Sequence, residues 1–227
     1  MDYLWNNPGQ VWGYLLQHLQ MTGIALAIAI MIAVPLSVLI ARSRWLTVPV
    51  MGTLGIIYTI PSLALIILLV PLLGLNAQSV IAAMVLYIQV ILVRNLSVAL
   101  QSIDPALIEA AKGMGMDMGQ RWWRVQVPLV LPIFLAGVRL SAIVAIAIAT
   151  IGAKFGAGGL GVLLFEGIAQ AGRYDKIWAG AIAVSLLALA INLGILVLER
   201  ITTPPPLRKP QRSRPAKVLE TSNIPES

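Results

Sequence analysis

The chain is 227 residues long, and 59% of them are apolar against 11% charged, where soluble domains run nearer about 45–50% and about 25%. Together with a mean hydropathy of +0.88, this excludes a soluble globular domain and points to several membrane-spanning helices, with 19 Gly and 14 Pro of the kind such helices tolerate. There is no Cys and a single His, which excludes disulfides, thiolate chemistry and any metal or triad site built on histidine; the net charge of +7 suits anionic lipid on the cytoplasmic side rather than nucleic acid.

A span needs about 20 apolar residues, and five stretches qualify: Leu19 to Ala41, Val48 to Leu73, Ser79 to Leu100, Ile133 to Gly152 and Ile177 to Leu198. Residues 1–18 form a segment ahead of the first span, residues 19–199 the transmembrane domain, and residues 200–227 a basic tail whose Pro204, Pro205 and Pro206 and interspersed charges read as disordered. In the first span Ala25, Ala29 and Ala33 recur every four residues. Such a stripe suits close helix packing, and it also suits ordinary alanine-rich sequence.

The first 18 residues hold no Lys or Arg, whereas Arg42 and Arg44 follow the first span, so the N-terminus is expected outside and, after five crossings, the C-terminus inside. This arrangement places eleven of the 16 cations in cytoplasmic segments and three, Lys154, Arg173 and Lys176, outside. Arg94 and Arg139 fall within spans near their cytoplasmic ends, where snorkelling to the interface is the expected reading and lining a pathway the other. Tyr58, Tyr87, Gln89, Asn95, Thr150 and Asn192 are further interruptions. Each is a candidate for lining a passage or for hydrogen bonding between helices.

Between the third and fourth spans lies a patterned polar loop, from Gln101 to Pro132. Asp104 before Pro105 is a strong helix start, since the carboxylate accepts from the first turn and proline there forfeits no bond. A helix from Pro105 to about Lys112 is expected, with Leu107, Ala110 and Ala111 near one face and Glu109 beside them, ending at Gly113 or Gly115. A second amphipathic turn, Met118 to Gln126, carries Trp122 and Trp123 beside Arg121 and Arg124, and Pro128 and Pro132 are expected to break it before the fourth span. Further on, Gly156, Gly158, Gly159 and Gly161 mark an outer turn ahead of a short re-entrant helix. Glu166, Arg173, Asp175 and Lys176 there read mainly as solvated surface charges.

Glu109-Ala110-Ala111, three residues, Gly115, nine residues, then Val125-Gln126-Val127-Pro128 resembles the EAA loop of ATP-binding-cassette importer permeases, whose pattern is E-A-A, three residues, G, nine residues, I-x-L-P. With Thr59 to Asn76, Leu107 to Met116 and Ala149 to Gly161, the chain from about His18 to Arg200 resembles the permease subunits of osmoprotectant importers for glycine betaine, choline and carnitine; methionine, taurine and nitrate permeases share the loop.

The resemblance implies an all-α polytopic fold of the type I importer kind in a bacterial inner membrane, and a permease rather than an enzyme. Its partners would be a separate cytoplasmic ATPase, an extracytoplasmic binding protein and a second permease copy, like or unlike. By this resemblance Asp104, Glu109, Ala110, Ala111, Gly113, Gly115, Val125 and Pro128 belong to the joint with the ATPase, and Gly158, Gly159 and Gly161 to the outer mouth where the binding protein docks. Tyr58, Tyr87, Asn95 and Thr150 are the pathway candidates. No cofactor or metal is expected, and a phosphate-binding G-x-x-x-x-G-K-[ST] loop is absent from the chain. The span aromatics Tyr58, Tyr87, Phe134 and Trp178 form no cluster in sequence, so selectivity is expected to lie mostly in the binding protein.

A secondary transporter driven by an ion gradient is the rival reading. It is disfavoured because no acid interrupts a span except Glu199 at a margin, and no internal repeat is evident.

Overall fold

The computed structural model describes residues 2–170 and 172–203, and among these the ordered elements are helical throughout. The expected tail from Pro204 onward lies outside the described residues. Four helices are long and apolar enough to cross a membrane, and a bent pair supplies a fifth crossing. The protein is therefore a multi-pass, all-α membrane protein.

A short α1 (Asp2–Asn6) leads into α2 (Pro8–Arg42), which starts with proline at its first turn. At about 1.5 Å per residue, 35 residues exceed the hydrocarbon layer. The surplus is at the N-terminal end, ahead of the apolar run that begins at Leu19. There Val11, Tyr14 and Leu15 are held by packing on Leu160, Leu163, Ala179 and Leu187, contacts that hydropathy does not register.

The second crossing is broken. α3 (Arg44–Thr59) and α4 (Ser62–Leu73) meet at 95°, which corrects the expectation of one span through Val48 to Leu73. Pro61 has no N–H and crowds the residue before it out of the helical region, and Ile60 is accordingly extended at φ −69°, ψ 124°.

α5 (Ala77–Gln101) is the most enclosed of the crossings, packed on α2 and on α8 (Val127–Gly152). Ala25, Ala29 and Ala33 are fully buried in this core, so the alanine stripe is a packing seam that brings the α2 and α5 backbones close. Gln89 completes it. With its amide nitrogen toward the Ala29 carbonyl (3.3 Å) and its oxygen toward the Ala33 N–H (3.1 Å), it satisfies both. Ser37 donates across the same seam to the Val93 carbonyl at 3.3 Å. Gly137 lies against Asn95, and Gly152 against Val80.

The connection between α5 and α8 consists of α6 (Pro105–Gly113), α7 (Met118–Arg121) and a π turn (Trp122–Gln126) that runs into α8. Pro128 and Pro132 do not break this run, contrary to expectation: the helix continues from Met118 to Phe155. The Val127 N–H reaches back to the Trp122 carbonyl, the wider π spacing, directly ahead of Pro128. A widened turn of this kind re-satisfies backbone groups around a proline ring that would crowd an ordinary one. A 3-10 turn (Ala153–Phe155), the glycine loop and α9 (Gly161–Ala169) then lead to α10 (Tyr174–Thr202), most of whose surface faces outward.

Candidate functional site

α6 is stabilised at both ends by its own sequence. The Asp104 carboxylate accepts from the Ala106 N–H at 2.9 Å, and Pro105 occupies the first turn. At the far end Gly115 is left-handed at φ +79°, and the Met116 N–H closes on the Ala111 carbonyl at 3.1 Å, the bond that ends a helix with a glycine reversal. α7 follows at once with a reciprocal cap: Asp117 accepts from the Gln120 N–H (2.8 Å), and the Gln120 side chain accepts from the Asp117 N–H (3.1 Å). Arg121 ties the turn shut by donating to the Met116 carbonyl at 2.8 Å.

The result is a rigid helix–turn–helix with a defined inner and outer face. Ala111 alone among the residues of α6 is buried, whereas Glu109, Ala110 and Gly113 are exposed. Leu107, Met114 (70% exposed) and Met118 join that outward surface. The two methionines were not singled out in the sequence, although their position beside the glycines was visible. Exposed thioethers at a helix reversal make an adaptable apolar contact. Val125 lies half-buried in the π turn and Pro128 at the start of α8, behind the exposed helix. Between α6, α7 and the ends of α2 and α5 is an open cavity of about 540 Å³ lined by Arg42 and Arg121 with Trp122 and Gln126.

At the opposite end, Gly156, Gly158 and Gly159 all have φ between +73° and +82°. Gln17 accepts from the Gly159 N–H at 3.0 Å, and the loop lies on the fully buried His18. Gly159 and Gly161 are themselves buried, and an added Cβ at Gly161 would strike the Thr150 carbonyl. These glycines thus let the loop close on α2 and α8, and Gly158 is the more accessible of the three. Of the neighbouring charges only Lys176 is buried, while Glu166, Arg173 and Asp175 are paired at partly exposed positions. Lys176 is 8% exposed, 2.9 Å from Glu166 and 5.5 Å from the Tyr3 ring centre. Arg173 and Asp175 bridge at 2.7 Å, and that hydrogen bond raises the Arg173 guanidinium further above its usual range.

The pathway candidates separate. Tyr58, at the end of α3, and Tyr87, in the middle of α5, lie with ring centres 4.6 Å apart and planes tilted by 41°. Two of the four span aromatics that are scattered in sequence are thus paired by the packing of α3 on α5. Tyr58, Arg94 and Asn95 line one open groove of about 520 Å³ with Ile91, Ile133 and Leu140. Thr150 is not part of it; its hydroxyl donates to the Ile146 carbonyl in its own helix at 2.8 Å. Arg139 faces Glu199 at 3.5 Å across α8 and α10, both half-buried.

A broken crossing, a helix–turn–helix ahead of α8 and a short α9 behind a glycine loop, set among apolar helices, define the class: a membrane-embedded importer permease. The chain belongs to the family described as the binding-protein-dependent transport system inner membrane component, which matches residues 25–204. It is 37% identical over 213 residues to the osmoprotectant import permease protein OsmW of Salmonella typhimurium, covering 92% of this chain and 99% of the relative. It is also 34% identical to the glycine betaine/carnitine/choline transport system permease protein OpuCB of Bacillus subtilis, over 90% of this chain and 94% of that protein. Among solved structures, the inward-facing MetNI methionine ABC transporter superposes with a TM-score of 0.75 at 21% identity, over 86% of this chain and 97% of its own. That likeness is one of fold.

Proposed function

We propose that the chain forms the translocation pathway of an ATP-driven importer for osmoprotectants such as glycine betaine, carnitine or choline, in a bacterial inner membrane with the N-terminus outside. The observation that carries the reading is the capped α6 helix with its left-handed Gly115, which presents Glu109, Ala110 and Met114 outward at the spacing of an ATPase-coupling loop. Relatives named for osmoprotectant import support the substrate class. The coupling logic is mechanical. A small, rigid helix seated in a cytoplasmic ATPase transmits ATPase closure to the spans, and two permease copies swing between inward-open and outward-open states.

In this reading Asp104, Ala111 and Gly113 shape the joint, Val125 and Pro128 brace it from behind, and Gly158, Gly159 and Gly161 set the outer loop where a loaded binding protein docks. Residues 1–18 sit at that outer face.

The test is uptake of radiolabelled glycine betaine into a transport-deficient bacterium expressing the chain with its neighbouring ATPase and binding protein. Uptake should need all three and vanish in Gly115→Asp while the complex still assembles. Uptake by the chain alone would refute the mechanism.

A further inference from the structure

The Tyr58 groove carries an unusual combination. Arg94 is exposed on α5 about seven residues before its cytoplasmic end, and no acidic side chain among the described residues lies within 4 Å of it. An arginine facing lipid inside a span costs about 2.5–3.5 kcal/mol on insertion scales. This one shares its groove with Asn95 and the Tyr58 ring, a polar strip in a wall otherwise made of Val90, Ile91, Val98, Ile133 and Leu140. Arg94 stands two helical turns, about 10 Å, from Tyr87 along α5, and Tyr58, stacked on Tyr87, reaches into the groove itself. Tyr58 also ends α3, whose last carbonyls carry the negative end of the helix dipole.

The groove thus offers an aromatic, electron-rich end and, at the other end, a guanidinium without an anion. A quaternary ammonium cannot donate hydrogen bonds and is held by aromatic faces. A carboxylate is held by a guanidinium, in two parallel hydrogen bonds where geometry allows.

Resting on the importer reading above, we infer that this groove is a transient substrate site within the pathway. It takes a zwitterion that carries both a quaternary ammonium and a carboxylate, with Tyr58, backed by Tyr87, receiving the ammonium and Arg94 the carboxylate. The consequence is a preference of the permease itself. Betaine- and carnitine-like solutes are matched at both ends, whereas choline, a cation without a carboxylate, meets an uncompensated positive charge. Selectivity is then exercised a second time after release from the binding protein, at low affinity, as passage requires.

The experiment uses the permease–ATPase complex in lipid nanodiscs without the binding protein, with radiolabelled glycine betaine as probe and choline as competitor. Wild type should bind betaine weakly, with choline competing at least about tenfold less well. Arg94→Gln should lose betaine binding by about tenfold and erase the discrimination, Arg94→Lys should restore part of it, and Tyr58→Leu should weaken both solutes together. ATPase activity stimulated by loaded binding protein reports that each variant is assembled. Equal competition by choline in wild type, or betaine binding untouched in Arg94→Gln, overturns the inference. Uptake in cells separates the two readings: betaine uptake that persists with Arg94→Gln sinks only the groove site, and no uptake of any of the three solutes by the assembled wild-type importer sinks the substrate class itself.

Discussion

Gly113 and Gly115 make a controlled comparison within one loop. Neither has any atom within 4 Å of where a Cβ would stand, yet only Gly115 has a positive φ, +79°. Gly113→Ala therefore meets no clash and removes a flexible residue from a helix end, worth about 0.5–1 kcal/mol in favour of α6. Gly115→Ala meets no clash either, but forces an L side chain into the left-handed region, at about 1–2 kcal/mol. If the reversal must be closed for α6 to seat on the ATPase, that penalty lowers the competent population by roughly 5–30-fold. Gly115→Asn, which tolerates the left-handed region, should fall between. The assay is ATP hydrolysis by the reconstituted complex with and without loaded binding protein, alongside betaine uptake. Coupling should follow the order Gly113→Ala, wild type, Gly115→Asn, Gly115→Ala, with thermal midpoints of the complex nearly unchanged. Equal loss of coupling in the two alanine variants would show that the backbone geometry of the turn is not what matters.

Three further outcomes are expected. Asp104→Ala should cost α6 about 1 kcal/mol through loss of its cap, whereas Asp104→Asn should retain coupling because the amide oxygen caps as well; loss in both would mean that the charge itself is read by the ATPase. Gly161→Ala should lower the thermal midpoint of the complex, at about 1–3 kcal/mol, because the Thr150 carbonyl occupies the space, while Gly194→Ala, with nothing nearby, should leave it unchanged. Glu166→Gln should cost about 1 kcal/mol by stranding the nearly buried Lys176, and adding Lys176→Met should recover most of it; a double variant no better than the single would show that the pair is not the source of stability.

What the sequence disclosed follows from how local the physics is. The Asp104–Pro105 start and the glycine stop of α6 are set by bonds within a few residues, and the expected ends agree with the structure to within a residue or two. The five crossings were legible because hydrocarbon thickness imposes length. The 95° bend was not read, because hydropathy runs unbroken from Val48 to Leu73 although Ile60-Pro61 was there to mark it. The π turn before Pro128 is a related case: proline in a sequence ordinarily signals a stop, whereas here the helix widens by one residue and continues. The Tyr58–Tyr87 stack and the burial of Lys176 join residues of different helices, and no single-helix pattern encodes them.

The bend at Ile60 has a consequence for the life of the molecule before it reaches a partner. Two half-helices that meet at an elbow leave some of the last carbonyls of one and the first N–H groups of the other without the partners of an unbroken helix; the Thr59 hydroxyl donates to the Ile56 carbonyl at 2.7 Å and the Ile60 N–H to the Ile57 carbonyl at 3.2 Å, and hydrocarbon offers nothing to satisfy the rest. A lone copy in lipid is therefore an unfinished solute at that elbow. A second permease copy packed over the elbow would remove the cost, and an orphaned copy should then be the shorter-lived. Pulse-chase decay of the chain expressed below and above the level at which permease pairs form reads this directly, and equal lifetimes would show that the elbow is already sheltered in the single copy.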